Sequence, residues 1–503
     1  MNKIKYKNKN KIVNIFSSAM FLILKAINNF KSIEKMKKLK LTLGLFALIG
    51  ISILSGCEKD EETPQSTQNI VQLAQAQPNL SSLVTALTKF PDLVATLSGT
   101  GKFTVFAPTN EAFTALLQTI GQSSINDVPE PVLKSLLQYH VITSGTVLST
   151  QLTAGNVATA NMESITVSTT GGISLNGSAK VITADVSSTN GVVHIIDKVL
   201  VPESISRFVN TVVEPAYFNK NFTTLIAAVT AASPSILETL LSSSNKTLFA
   251  PTNDAFTAAG ITTLPARATL DAVLAYHLID SEVKASQLPT NTAPANSAIT
   301  TLGGVFYLSN RGSNGVFING RTRVTATDIM TDNGVVHVID RTLLPPSQTI
   351  AQIATALSSA SSGAEFTQLV AALVRVPALL DAASAASSNL TVFAPTDAAF
   401  SDLYTALGVA GINDIHINTL TAVLQHHIVS SPTTVSGRVF SSDLITGSVP
   451  TLNGNIAISS NAGTVTSGKG TMANISANAA LVNVLGTNGV IHTINKVLLP
   501  SGK

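Results

Sequence analysis

Apolar residues between Ile70 and Pro500 follow two periods that alternate along the chain. From Ile70 to Leu97 they recur at helical spacing, with Leu80, Leu83, Val84 and Leu87 on one face. The run Phe103-Thr104-Val105-Phe106-Ala107 then reads as a short strand, closed by Pro108, which has no N–H for another ladder bond. Thr109 stands where a helix N-cap belongs, Glu111 falls in the first turn where a negative charge suits the helix dipole, and Phe113 points to the core. A further helix, Val132 to His140, puts Leu133, Leu136, Leu137 and His140 on one face. That histidine is therefore expected in the core, hydrogen-bonded to a buried backbone group. Polar strands broken by glycine follow, for example Ser164 to Asn176, and Asn190-Gly191-Val192-Val193-His194-Ile195-Ile196-Asp197 closes the series. Asn-Gly is expected to supply the two positive-φ residues of a tight hairpin turn, with the β-branched run as the strand that leaves it.

The series occurs three times. The strand-Pro-Thr-helix stretch returns as Lys246 to Phe256 and Leu390 to Phe400, with Thr252 and Thr396 as caps and Asp254 and Asp397 in the first turn. Phe106, Phe249 and Phe393 are 143 and 144 residues apart, a near-constant period that marks tandem copies of one domain. The helix ends return as Tyr276-His277 and His426-His427, polar strands as Thr300 to Asn319, and the last strand as Asn333 to Asp340 and Asn488 to Asn495. Alternation along Asn333–Asp340 places Val335, His337 and Ile339 on one face, so His337 reads as a buried staple of the domain. Between Asn333 and Asn488 the spacing grows to 155 residues. This predicts a loop insertion of about a dozen residues within Thr446 to Gly489, a natural seat for an individual binding specificity.

Together these motifs resemble the fasciclin (fasciclin I-type) domain. The phrase Thr-Val-Phe-Ala-Pro-Thr-Asn-x-Ala-Phe, a Tyr-His helix end and Asn-Gly-Val-Val-His-x-Ile-Asp carry the likeness across 69–500. The resemblance implies an α+β fold: three tandem domains at 69–203, 204–346 and 347–501, each a β-wedge of short strands with packed helices. It also implies cell adhesion or matrix binding without a cofactor or a catalytic mechanism. In animal matrix members a Tyr-His region and an Asp-Ile pair are linked to receptor binding. The matching residues are Tyr139, His140 and Asp185 in the first repeat, and Tyr276, His277, Asp328 and Ile329 in the second. The third departs, with His426 for the tyrosine and Val482-Asn483-Val484 for the acidic pair.

The N-terminus reads as an address. Met36-Lys37-Lys38-Leu39-Lys40 is a basic start, Leu41 to Leu54 an apolar run of signal-peptide length, and Leu54-Ser55-Gly56-Cys57 resembles the lipobox of bacterial lipoproteins. That resemblance implies a signal peptide at 36–56, acylation of Cys57, and a mature chain that starts there. The acidic tether 57–68 begins Cys57-Glu58-Lys59-Asp60-Glu61-Glu62, similar to the surface-export signal of Bacteroidota lipoproteins, which implies an outer-membrane protein facing the exterior. Residues 1–35 read as an upstream extension from a misassigned start, with Met36 the true one.

Charge and chemistry narrow the rest. The chain has a formal charge of +3, but 11 of its 31 Lys/Arg and only one of its 28 acids precede Cys57. The remainder carries 20 basic against 27 acidic residues, a net of −7, which excludes a nucleic-acid partner. Six of eight histidines (140, 194, 277, 337, 427, 492) hold equivalent places, as a fold requirement dictates, and His416 and His426 alone make no metal site. Gly-x-Ser-x-Gly and His-Glu-x-x-His are absent, so no enzyme is expected. The reading is a lipid-anchored surface adhesion protein that binds a cell-surface or matrix protein or glycan through several weak modules at once. The alternative is a glycan-capture lipoprotein serving polysaccharide uptake, weakened by the absence of Trp and 5% aromatics. Self-association stays open.

Overall fold

In the computed structural model the described residues are 66–502, except 294, 362 and 430–437. Cys57, the signal segment, the tether up to residue 65 and residues 1–35 lie outside them.

Each repeat opens on helices and closes on strands, as its alternating periods require. In the first, Pro78 and Pro91 divide the opening stretch into helices Ile70–Gln75, Ser81–Leu87 and Pro91–Ser98, whose buried faces carry Leu73, Leu83, Leu87 and Leu97, with Leu80 buried in the turn before the second. Strand Phe103–Pro108 follows, then helix Asn110–Thr119, helix Glu130–Tyr139 and a run of strands ending in Gly191–Ile196. The seven strands order as Val141–Ile142, Phe103–Pro108, Gly191–Ile196, Ala179–Ser188, Ser174–Leu175, Ser164–Ser168 and Gly155–Ala158. The motif strands are central and parallel, pairing Phe103 with Gly191 through Pro108 with Ile196. The second repeat has the same seven-stranded order, with Lys246–Pro251 parallel to Gly334–Ile339. The third is split into two four-stranded sheets, one holding Leu390–Pro395 parallel to Gly489–Ile494. Helix-side and wedge-side residues form separate apolar clusters in every repeat.

The N-cap expectation holds. Thr109, Thr252 and Thr396 accept from the amides of Ala112, Ala255 and Ala399 at 3.2, 3.2 and 3.1 Å. Phe113, Phe256 and Phe400 are buried. Asp397, though, is the counterpart of Asn110 and Asn253. Those side chains accept from the Ser82 and Thr224 amides, as Asp397 does from Gln368, so the first helical residue pins the preceding helix.

The Asn-Gly pair is different from the turn its sequence suggests. Asn190, Asn333 and Asn488 are not among the positive-φ residues. Each is buried and joins three distant backbone groups. Asn333 accepts from the Val212 amide at 2.7 Å and donates to the Leu240 and Ser242 carbonyls at 3.0 and 2.8 Å. Asn190 does the same with Ile70, Leu97 and Gly99, and Asn488 with Ile350, Ala383 and Ala385. The glycine serves close approach: a Cβ on Gly334 would collide with the Lys246 carbonyl of the parallel strand, and one on Gly191 with that of Phe103.

The third repeat's extra length is also distributed, not a single insertion within Thr446 to Gly489. His427 to Ser441 spans 14 residues where His140–Ser149 and His277–Ala285 span 9 and 8. Asn474 to Asn483 spans 9 where Lys180–Asp185 and Arg323–Asp328 span 5.

Repeats two and three share a buried polar junction. Asp443 of the third is fully buried and receives Arg311 Nη2 at 2.6 Å, Asn296 Nδ2 at 2.6 Å and the Ser309 hydroxyl, all from the second. Arg438 lies over the Tyr307 ring, 4.6 Å from its centroid, and donates to the Gly486 and Thr487 carbonyls at 2.8 and 2.7 Å. The Asn483 amide reaches the Gly320 carbonyl at 3.2 Å. The first and second repeats are joined through 204–218: Ile205 and Phe218 belong to the first core, Phe208 and Val212 to the second.

Candidate functional site

The Tyr-His helix ends lie inside the domains. His140 is the C-cap of Glu130–Tyr139, and the turn sends its ring under the sheet. Its Nδ1–H donates to the Leu136 carbonyl at 2.7 Å, while Nε2 accepts from the Leu200 amide at 2.8 Å. His277 makes the same pair with Val273 and Leu343 at 2.7 and 2.9 Å, and His427 with Val423 and Leu498 at 2.8 and 2.9 Å. Each ring thereby ties the helix to the segment that leaves the last strand. Burial pushes all three imidazoles down from 6.5 to about 4.

Their tyrosine neighbours are equally committed. Tyr139 donates to the Ser164 carbonyl at 2.8 Å and Tyr276 to that of Val305 at 2.9 Å, linking helix to wedge. In the third repeat His426 makes that link from its ring, with Nδ1 to the Asn453 carbonyl at 2.6 Å and Nε2 accepting from the Gly468 amide at 3.2 Å.

The strand histidines use the opposite tautomer. His337 Nε2–H donates to the Val283 carbonyl at 2.8 Å, leaving Nδ1 to accept from the Asp328 amide at 3.3 Å. His194 does the same with Val147 and Asp185, at 3.0 and 3.2 Å. Both rings are fully buried, and burial pushes the His337 imidazole down. His492 donates to Val439 at 2.8 Å, but its Nδ1 has no partner.

Asp185 and Asp328 occupy that bulge, at φ 61° and 59°, and Asn483 takes the equivalent place at 54°. Their side chains accept from the amides of Ser149, Ala285 and Ser441 at 2.7, 2.8 and 2.8 Å, each opening a short helical turn. For Asp185, partial burial works upward, but hydrogen bonds from the Ser149 hydroxyl and amide hold the carboxyl below its usual range. Asp328 is exposed and Ile329 half-buried, whereas Tyr139, His140, Tyr276 and His277 are buried. The matched residues thus share one construction, with the acidic bulge at its surface and the Tyr-His pair beneath. Among the described residues no group of three or more His, Cys, Asp or Glu is placed to hold a metal ion.

Sequence reasoning missed the buried asparagine hubs and Asp443. For the latter the signal was present: Asp443 replaces Gln151 and Gln287, whose side chains only accept from their own turn's amide, at 2.9 and 2.8 Å.

The histidine tautomers carry a pH dependence. Unfolded imidazoles titrate near 6.5 and the native His140, His277 and His427 near 4, so below about 6.5 the unfolded chain binds more protons than the native one. Stability contributed by the neutral rings is complete above pH 6.5 and is lost as pH falls toward 4, by roughly 3 kcal/mol per ring. Melting followed calorimetrically from pH 7 to pH 4 is expected to show a steep fall in every repeat; a flat profile contradicts it.

A fasciclin domain model matches residues 78–202, 220–345 and 364–500 of the chain. Over 337 residues the chain is 29% identical to transforming growth factor-beta-induced protein ig-h3 of Sus scrofa, covering 66% of this chain and 45% of that protein. It is 29% identical to periostin of Homo sapiens over 347 residues, 66% of this chain and 37% of that one. Immunogenic protein MPB70 of Mycobacterium bovis is 36% identical over 149 residues, covering 28% of this chain and 74% of that protein. The chain thus spans less than half the length of ig-h3 or periostin. A solved FAS1 domain pair from the insect cell adhesion molecule Fasciclin I covers 56% of this chain and 97% of its own, at 20% identity and a TM-score of 0.27.

Proposed function

The chain belongs to the fasciclin domain family, and from that premise we propose a lipid-anchored surface adhesion protein that binds matrix or neighbouring-cell components through three domains at once. The observation that supports it best is how the recurrent chemistry is used. The motif histidines and tyrosines are buried and bonded to backbone, so the titratable groups hold frames and leave the polar faces of the wedge for contact. The motif rings all lie inside the domains, out of reach of a substrate's proton, which favours binding over catalysis.

Acylation of Cys57 would anchor the mature chain, with the acidic tether spacing it from an outer membrane and the domains facing outward. The buried junction then fixes the spacing of the second and third domains, so a partner with matching spacing meets two contacts at little further entropic cost. The test is retention of beads bearing the 58–503 fragment on matrix-coated surfaces and cell layers, with a glycan array in parallel. Retention with no glycan preference is expected. Selective glycan binding without retention would support polysaccharide capture instead.

A further inference from the structure

A cleft of about 690 Å³ opens where the end of the second domain meets the third. Two arginines line it, Arg321 from the turn before strand Thr322–Thr331 and Arg341 just past strand Gly334–Ile339. The strands bring them together: the Asp340 amide donates to the Arg323 carbonyl and the Arg323 amide to the Asp340 carboxylate, so Arg341 stands beside Thr322, next to Arg321. Among the described residues neither guanidinium has an ion-pair or hydrogen-bond partner, and no carboxylate lines the cleft. Burial first, and the Arg341 charge second, work against the Arg321 cation. Two like charges held together without a counter-charge, in a chain whose net charge from Glu58 onward is −7, are an unfilled electrostatic demand.

An independent observation points the same way. Thr342, 6% exposed, lines the same cleft, and its Oγ1 has no partner in the protein. A buried hydroxyl without a partner is costly unless something else meets it.

The pair is particular to this junction. The ladder hydrogen bonds of Lys180, Arg323 and Asn474 fix the equivalences, which place Ser178 and Lys198 in the first repeat and Met472 and Lys496 in the third. Lys496 is paired with Asp402.

We propose that this cleft is a binding site for a peptide carboxylate flanked by apolar side chains, with the carboxylate held by Arg321, Arg341 and the Thr342 hydroxyl. A guanidinium pair presents the forked donors that a carboxylate accepts. The rest of the lining mixes neutral polar residues such as Asn319, Gln348 and Asn483 with an apolar stretch that includes Leu344, Pro345, Leu357 and Leu485, and Leu344 is half exposed. The apolar stretch gives the neighbouring aliphatic side chains of a peptide a surface that inorganic phosphate does not use. No aromatic ring lines the cleft, so a sugar finds no stacking platform. The site stands on its own residues and does not depend on the adhesion reading.

The test is fluorescence anisotropy on the 58–503 fragment with a rhodamine-labelled Gly-Ser-Leu-Asp-Leu-Ser amide, a control with Asn for Asp, and unlabelled hexagalacturonate and phosphate as competitors. Saturable binding of the acidic peptide is expected, weaker by about tenfold or more for the control and for Arg321→Gln/Arg341→Gln. Thr342→Val is expected to weaken binding as well. Both variants should melt no lower than wild type, since one removes a like-charge pair and the other an unpartnered hydroxyl. Absence of saturable binding, unchanged binding in the double variant, or stronger binding of hexagalacturonate or phosphate overturns the proposal. Bead retention is read separately, so either result can fail while the other stands.

Discussion

Asn333→Ala is expected to destabilise the second domain by roughly 3–5 kcal/mol, enough to lower clearly the melting transition it shares with the third. The change removes one acceptor and two donors at once. The Val212 amide and the Leu240 and Ser242 carbonyls lose their Asn333 partners, and the side chain they shared is 95% buried. The Val212 amide and the Leu240 carbonyl lose a buried partner at about 1–3 kcal/mol each, and the Ser242 carbonyl keeps only the Lys246 ammonium. Asn333→Asp should be no better, because its carboxylate would face two carbonyl oxygens. Calorimetry on the 58–503 fragment reads the effect. A shift of that transition below 1 kcal/mol would show that the asparagine is replaceable.

The second large effect is at the junction. Asp443→Asn keeps the shape and removes the charge that Arg311 faces at 2.6 Å, with side chains 0% and 10% exposed respectively. Breaking a buried pair from one side costs about 3–5 kcal/mol, because the remaining charge stays buried without its partner. The second and third domains, which should melt together in the wild type, are expected to melt separately in the variant. Combining Asp443→Asn with Arg311→Met should recover part of the loss, and the double-mutant cycle isolates the pair. Additive losses would place the stabilisation elsewhere in the junction.

What the sequence made legible was local or periodic. The strand-Pro-Thr-Phe stretch was readable because cap, dipole and core positions lie within a few residues of one another. The core placement of His140 and His337 followed from helix and strand periods alone. Asn333 was misread for a related reason: Asn-Gly is a strong local turn signal, while its actual partners lie 91 to 121 residues away. No window along the chain brings those groups together. The Asp443 junction was hidden similarly, its partners in the second repeat lying 132 to 147 residues away and present in one repeat only. The matched Asp185 and Asp328 sit at the surface, but each already accepts an amide inside its own domain. The Arg321–Arg341 cleft needed the ladder register before two residues 20 apart in sequence could be seen as neighbours.

The adhesion proposal meets its most direct test in bead retention under flow, using the 58–503 fragment coupled through its N-terminus at graded surface densities. Multivalent contact by three domains predicts retention on cell or matrix surfaces that rises more steeply than in proportion to density, and that soluble fragment competes away. Beads that wash off at every density, as beads bearing an unrelated lipoprotein do, would contradict it.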